Sequence, residues 1–381
     1  MKKQVLDNLI EFIKIDSFAF KKENVIEAQN FVKEYLKELE IEWREYESTD
    51  PELAPILFGK TKSWDDTKPN VTLTGHLDIV YPDISKFEIE VKEDKLFGPG
   101  TADMKAGVMV ILESLKELSN SNQLHNINLL FTSEEEHFRT RSYPDFEKIA
   151  LEIENLLVYE GEGSLDTKPN LNEKLLVIKR KGILAYKLKA KGPGGHSGVI
   201  SQKEHRHSAI HELILQAKNI QELANYEKGT TINIGIFNGG QALNVLAPDA
   251  EIVFDARLDI ASEYHRVKSE IENLKSIDNH IELELELLVS GYPVEASEQN
   301  KNLFNVAERV WEDIGLEIGS VHKGGASDMN RLTAFNPNIA TIDYLGPSGG
   351  GEHTINEFLF LETFDPCVKL STELIKKILK I

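Results

Sequence analysis

Three short apolar runs in the first half of the chain, Val71–Thr74, Ile127–Phe131 and Leu156–Tyr159, each stop at ionisable side chains. The first ends in Gly75-His76, the second leads into Glu134-Glu135-Glu136, and the third stops at Glu160. Between the first two runs, apolar residues at 104, 108, 111, 112, 115 and 118 form a helical stripe. This alternation predicts an α/β fold with a mostly parallel sheet flanked by helices. In such sheets, ligand sites gather beyond the carboxyl ends of the strands. His76, Glu134–Glu136 and Glu160 occupy those ends.

The middle of the chain follows another pattern. Leu175–Ile178, Leu184–Ala190, Thr231–Phe237, Glu251–Leu258 and His280–Val289 read as strands, with helices near 204–225 and 262–275. In the last strand Ile281, Leu283, Leu285 and Leu287 alternate with glutamates, which gives a sheet with one wet face. The order matches a ferredoxin-like α+β module. After about residue 291 the first pattern returns, with a helix near 301–313 and a strand at 338–344. We therefore expect residues 1–182 and 292–381 to form one domain, with 183–291 inserted in it. The 381 residues suit two cores better than one.

The formal net charge of -20 repels phosphate backbones and excludes nucleic acid as a natural partner. The lone cysteine, Cys367, forms no intrachain disulfide and no cysteine metal cluster. The first helix is amphipathic rather than signal-like. No run reaches the ~20 apolar residues of a membrane span. A cytoplasmic protein without a membrane partner is expected.

Several segments carry candidate chemistry. In Gly75-His76-Leu77-Asp78, a strand-end histidine can ligate a metal while the nearby carboxylate holds its other ring nitrogen. In Gly98-Pro99-Gly100-Thr101-Ala102-Asp103, glycines let the backbone bend before Asp103, which equally suits a helix cap at the helix starting near Met104. The three glutamates 134–136 repel one another unless cations are near. They read equally as a solvated acidic loop. Gly349-Gly350-Gly351-Glu352-His353 allows close backbone approach to a ligand just before a histidine.

These segments, in this order, resemble the metallopeptidase family that contains bacterial glutamate carboxypeptidase, acetylornithine deacetylase and succinyl-diaminopimelate desuccinylase. The stretches Gly324–Asp328 and Leu345–His353 look most like the glutamate carboxypeptidase branch. The resemblance implies a catalytic α/β domain, an inserted dimerisation domain and two divalent ions. Imidazole and carboxylate donors without thiolate suit zinc, and also manganese or cobalt. Carried over by position, His76 and Glu160 hold one ion, Glu136 and His353 the other, and Asp103 bridges them. Asp78 orients His76. Glu135 is the general base, and Glu134 is expected to be dispensable. The resemblance also implies a cis peptide between Asp103 and Met104.

In the inserted domain, His196 of Gly194-Gly195-His196-Ser197-Gly198 resembles a histidine that reaches a partner subunit's site to stabilise an oxyanion. Asn244 and Arg257 resemble contacts to a substrate carboxylate, while Gly325 and Gly350 lie in stretches expected to line the substrate. The sequence departs from the family at His137-Phe138-Arg139-Thr140-Arg141, where a small residue is usual after the glutamate pair. His137 is a rival ligand of lower rank, and His207 and His211 read as surface histidines spaced on a helix. Arg139, Arg141, Arg180, Lys181 and Arg257 favour an anionic substrate. The expected function is metal-dependent amide hydrolysis of a small peptide or N-acyl amino acid by a homodimer. A biosynthetic desuccinylase or deacetylase, or a non-catalytic homologue of the same fold, are the alternatives.

Overall fold

Val71–His76 runs parallel to Ile127–Thr132 on one side and to Asn155–Val158 on the other. Ala340–Ile342 extends this parallel block, while Ile56–Thr61 and Ile41–Tyr46 close the opposite edge with antiparallel pairing. Every residue of Val71–His76 and Ile127–Thr132 is buried, as in a sheet covered on both faces. Helices Lys3–Ile13, Ala106–Asn120 and Phe364–Leu379 contribute Phe12, Met109, Leu112 and Leu374 to its core. The fold class is therefore the α/β arrangement that the apolar runs predict. A smaller sheet of Gly349–Gly350, Phe358–Phe360, Lys95–Phe97 and Glu90–Lys92 belongs to the same unit.

The computed structural model describes residues 1–138, 142–163, 169–201 and 206–380. Arg139, Thr140 and Arg141 lie outside the described residues, and so does the start of the helix expected near 204. Contacts divide the chain into a first unit of 1–178, 296–322 and 327–381 and a second of 179–295 and 323–326. The second unit is wider than the 183–291 expected. Lys181 N–H donates to the Lys323 carbonyl at 3.0 Å, which ties the short segment 323–326 to it. No helix among the described residues is long and apolar enough to cross a membrane.

The second unit is an antiparallel sheet in the order Thr231–Gly239, Asp249–Leu258, Gly182–Lys191, Glu282–Gly291. Helices Ala209–Gln221 and Ala261–Glu272 supply the crossovers. Leu184, Tyr186, Leu188, Ile252 and Phe254 fill its core with Leu213 and Val267 from the helices. The strand–helix–strand–strand–helix–strand order is the ferredoxin-like one.

The entry to the helix after Asp103 differs from expectation. Regular helix begins at Ala106, and no side chain caps it. Thr101–Lys105 forms a wider turn in which Asp103 and Met104 leave helical geometry, at φ/ψ of -124/91 and -134/32. The Asp103–Met104 peptide is cis. Asp103 is no cap because its carboxylate faces two histidines instead.

Gly107, in the first turn of that helix, explains why the helix can press on the sheet end. A Cβ there would lie 1.9 Å from the Tyr159 carbonyl oxygen, immediately before Glu160. Only glycine permits this approach.

Candidate metal centre

His76 closes the strand Val71–His76 and is fully buried. Its Nδ1 lies 3.0 Å from the Asp78 carbonyl oxygen. A carbonyl only accepts, so Nδ1 carries the proton and Nε2 is the free ligand nitrogen. Nε2 lies 2.9 Å from Asp103 Oδ1 and 3.8 Å from Glu160 Oε2. The other Asp103 oxygen, Oδ2, lies 3.4 Å from His353 Nε2. That nitrogen is also 3.3 Å from Glu136 Oε2. One carboxylate thus offers a separate oxygen to each of two imidazoles. The five residues expected as ligands converge in the first unit.

Asp78 does more than the sequence suggests. Its carboxylate is 3.5 Å from His76 Nδ1, while its two oxygens accept the backbone N–H of Glu135 at 3.1 Å and of Glu136 at 3.2 Å. The residue therefore fixes the loop that presents both glutamates. Glu135 offers a ligand atom within 4.8 Å of those of His76 and Glu160, and Glu136 does the same with His76 and Asp103.

Electrostatics follow from this crowding. Burial works to lower the His76 pKa, but the carboxylates of Glu160, Asp103 and Asp78 prevail and hold it well above the ordinary value. Hydrogen bonds to Asp103 and Glu136 raise His353 to about 10. Burial works to raise Asp103, yet the two histidines hold it below its usual range. Burial pushes Glu135 well up, and it raises Glu136 to about 7 with help from Asp103. Glu136 Oε1 is buried with no hydrogen-bond partner. Positive charge is what such a site lacks. Two imidazoles, a shared carboxylate and an orphaned carboxylate oxygen fit two divalent ions of the zinc, manganese or cobalt class.

The profile of the peptidase family M20/M25/M40 matches residues 72–377. The chain belongs to that family. It is accordingly a metallohydrolase of the peptidase and amidohydrolase type. Among curated relatives, a probable succinyl-diaminopimelate desuccinylase of Staphylococcus aureus is 26% identical over 335 residues, covering 76% of this chain and 79% of its own. Carboxypeptidase G2 of a Pseudomonas species is 25% identical over 358 residues, covering 92% and 83%. Among solved structures, an aminopeptidase PepT from Bacillus cereus superposes with a TM-score of 0.77 at 20% identity, covering 99% of this chain and 98% of that one.

In this M20 chain the remaining candidates sit as follows. Gly350 is a buried strand residue of the first unit. His196, Asn244, Arg257 and Gly325 belong to the second. His196 is exposed, and its Nδ1 accepts the Gly198 N–H at 3.0 Å. The Asn244 carbonyl accepts the Ser197 N–H at 3.0 Å. Arg257 Nε donates to Asp255 at 3.1 Å, and the Arg180 guanidinium donates to the Gly325 carbonyl at 2.9 Å. His137 packs edge-on against Phe18 and Phe20, at 5.2 and 4.8 Å between ring centroids. His207 is not on a helix with His211, since the helix begins at Ala209.

Sequence reasoning missed two carboxylates. Glu357 accepts backbone N–H groups of Gly100, Ala102 and Asp103 at 2.9, 2.8 and 3.0 Å, and the Tyr81 hydroxyl at 2.8 Å. Burial raises its pKa to about 7, with the charge of Asp103 adding to the rise. The only signal was its place four residues after His353. Glu134 is the other. It turns inward and pairs with a fully buried Arg331, whose Nη1 also meets Asp328 Oδ1 at 2.8 Å. The solvated-loop reading does not hold for Glu134, which is fully buried.

Proposed function

We propose that this chain hydrolyses an amide bond of a small peptide or N-acyl amino acid, as a carboxypeptidase-like enzyme with a dinuclear centre. The supporting observation is Asp103, with one oxygen toward His76 and the other toward His353. His76 and Glu160 would hold one ion, Glu136 and His353 the other, with Asp103 shared. When bound, the ions supply polarisation of the scissile carbonyl and acidification of an attacking water.

The rest belongs to the chain's own side chains. Glu135 takes the proton from the attacking water and delivers it to the leaving amine nitrogen. Its raised affinity for protons suits the return step. Asp78 keeps Glu135 in place through its backbone N–H and keeps the His76 tautomer. Arg257 and Asn244 would bind the substrate carboxylate, with Gly325 and Gly350 lining the substrate. His196 of a second copy would stabilise the oxyanion.

A homodimer is part of this reading. The edge strand Thr231–Gly239 leaves Ile236 and Phe237 exposed, and the helix Ala209–Gln221 leaves Ile214 and Leu215 exposed. An edge with apolar side chains suits pairing with a second copy. The free, buried Cys367 fits a reducing, cytoplasmic compartment.

A desuccinylase is the second reading, since a curated relative carries that name. A panel of dipeptides, N-acyl amino acids and N-succinyl diamino acids, assayed with added zinc, manganese or cobalt, separates the two. Turnover confined to N-succinyl substrates would replace the carboxypeptidase-like reading. No metal-dependent turnover of any amide would remove both.

A further inference from the structure

We propose that His207, Asp278 and His280 form a second metal site, in the ferredoxin-like unit, for a divalent ion of the zinc class. His207 Nδ1 lies 2.7 Å from Asp278 Oδ2, and His280 Nδ1 lies 3.3 Å from Asp278 Oδ1. The two imidazoles stack with centroids 3.9 Å apart and planes inclined by 30°. The three residues offer ligand atoms that lie within 4.8 Å of one another. Two imidazoles and one carboxylate make a donor set that zinc and its transition-metal neighbours take, with open positions left for water. Calcium and magnesium, which prefer oxygen, are not expected here.

The surroundings are built to hold Asp278. Glu212, buried on the helix Ala209–Gln221, accepts the backbone N–H of Ile277 at 2.9 Å and of Asp278 at 3.0 Å. Gln216, one turn along, donates to Glu212 at 2.8 Å and to the Lys275 carbonyl at 2.8 Å. The loop between Ala261–Glu272 and Glu282–Gly291 is thus pinned to the helix that His207 precedes by two residues. Metal sites depend on such outer hydrogen bonds to set their ligands.

Burial is graded across the cluster. The His207 side chain is 12% exposed, Asp278 29% and His280 63%, which leaves an entry path on the His280 side. His207 Nε2 is buried without a hydrogen-bond partner, so Asp278 is the ring's polar anchor. Both Nδ1 atoms face the Asp278 carboxylate, and one divalent ion would sit among these three donors.

The test is zinc stoichiometry of the full-length chain after equilibrium dialysis at micromolar free zinc, read by elemental mass spectrometry. Wild type should hold one ion more than His280→Ala and His280→Gln, whose hydrolytic activity should be unchanged. Because His280 is exposed, melting of the metal-free variants should match wild type. If His280→Ala alone melts early, the count is taken from His280→Gln. Equal stoichiometry in wild type and a folded variant overturns the proposal, leaving the cluster a hydrogen-bonded histidine–aspartate contact. Glu136→Gln and His353→Ala keep this ion whatever they do to the first-unit centre. Failure of the hydrolase reading is therefore distinguishable from failure of this one.

Discussion

Glu357 accepts the backbone N–H of Asp103 at 3.0 Å, across 254 residues of chain. The contact matters because it orients the residue whose two oxygens face different histidines. The same carboxylate also gathers Gly100 and Ala102, so the turn carrying Asp103 is wrapped around one buried side chain.

Glu357→Gln turns one acceptor into an NH2 donor that faces backbone N–H groups, so at least one of these bonds is lost. The expected result is a fall in metal affinity of roughly 10–100-fold, the usual effect of removing an outer partner of a metal ligand. Excess metal should restore much of kcat. A metal titration of activity and of bound ion checks this. Unchanged affinity with reduced kcat would instead assign Glu357 to the chemistry.

Glu263 gives a pH prediction in the second unit. Arg266 hydrogen-bonds it, with Thr230 and Lys228 assisting, and together they lower its pKa from 4.5 to about 2. A depressed folded value means that its stabilisation is full above pH 4.5 and drains away as pH falls toward 2. Glu263→Gln should therefore melt below wild type near neutrality, and the gap should narrow below about pH 4.5. Thermal melting at several pH values provides the measurement. A gap independent of pH would place the effect in packing instead.

The positions of the metal-type residues were legible because strand ends are legible. His76, Glu136 and Glu160 follow apolar runs whose burial the sequence dictates. The inserted sheet was visible for the same reason, through strict alternation in residues 281–287. The Glu134–Arg331 pair was not, since its members lie 197 residues apart and a buried arginine looks like a surface one in sequence. In sequence Asp103 suited a helix cap as well as a ligand, because capping is a local rule. What overrides it is Glu357, brought in from the far end of the chain. The segment 323–326 joined the second unit through a backbone hydrogen bond, which leaves no trace in side-chain pattern.

Glu134→Gln tests the inward-facing reading of that glutamate. The substitution keeps the shape but removes one of the carboxylates that face the buried Arg331 charge, leaving Asp328 at 2.8 Å. Breaking a buried ion pair typically costs about 3–5 kcal/mol. A drop in Tm of several degrees is expected, with metal content retained in the folded fraction. Wild-type Tm would show that the pair contributes little.

Glu135→Gln addresses the chemistry itself. Glu135 is also buried, but its carboxyl is pushed toward the protonated form, so a neutral isostere fits the same space with little change in stability. Its backbone N–H stays bonded to Asp78, so the loop keeps its shape. What disappears is the ability to take a proton from water and return it to the leaving nitrogen. Turnover should fall by roughly 10²–10⁴-fold, the usual contribution of a positioned base, while KM and bound metal stay close to wild type. Glu136→Gln should part from this pattern by losing metal. Position within 4.8 Å of His76 and Glu160 makes ligation the rival role for Glu135. Metal analysis decides between them: an ion lost from Glu135→Gln along with activity makes Glu135 a ligand and moves the base elsewhere.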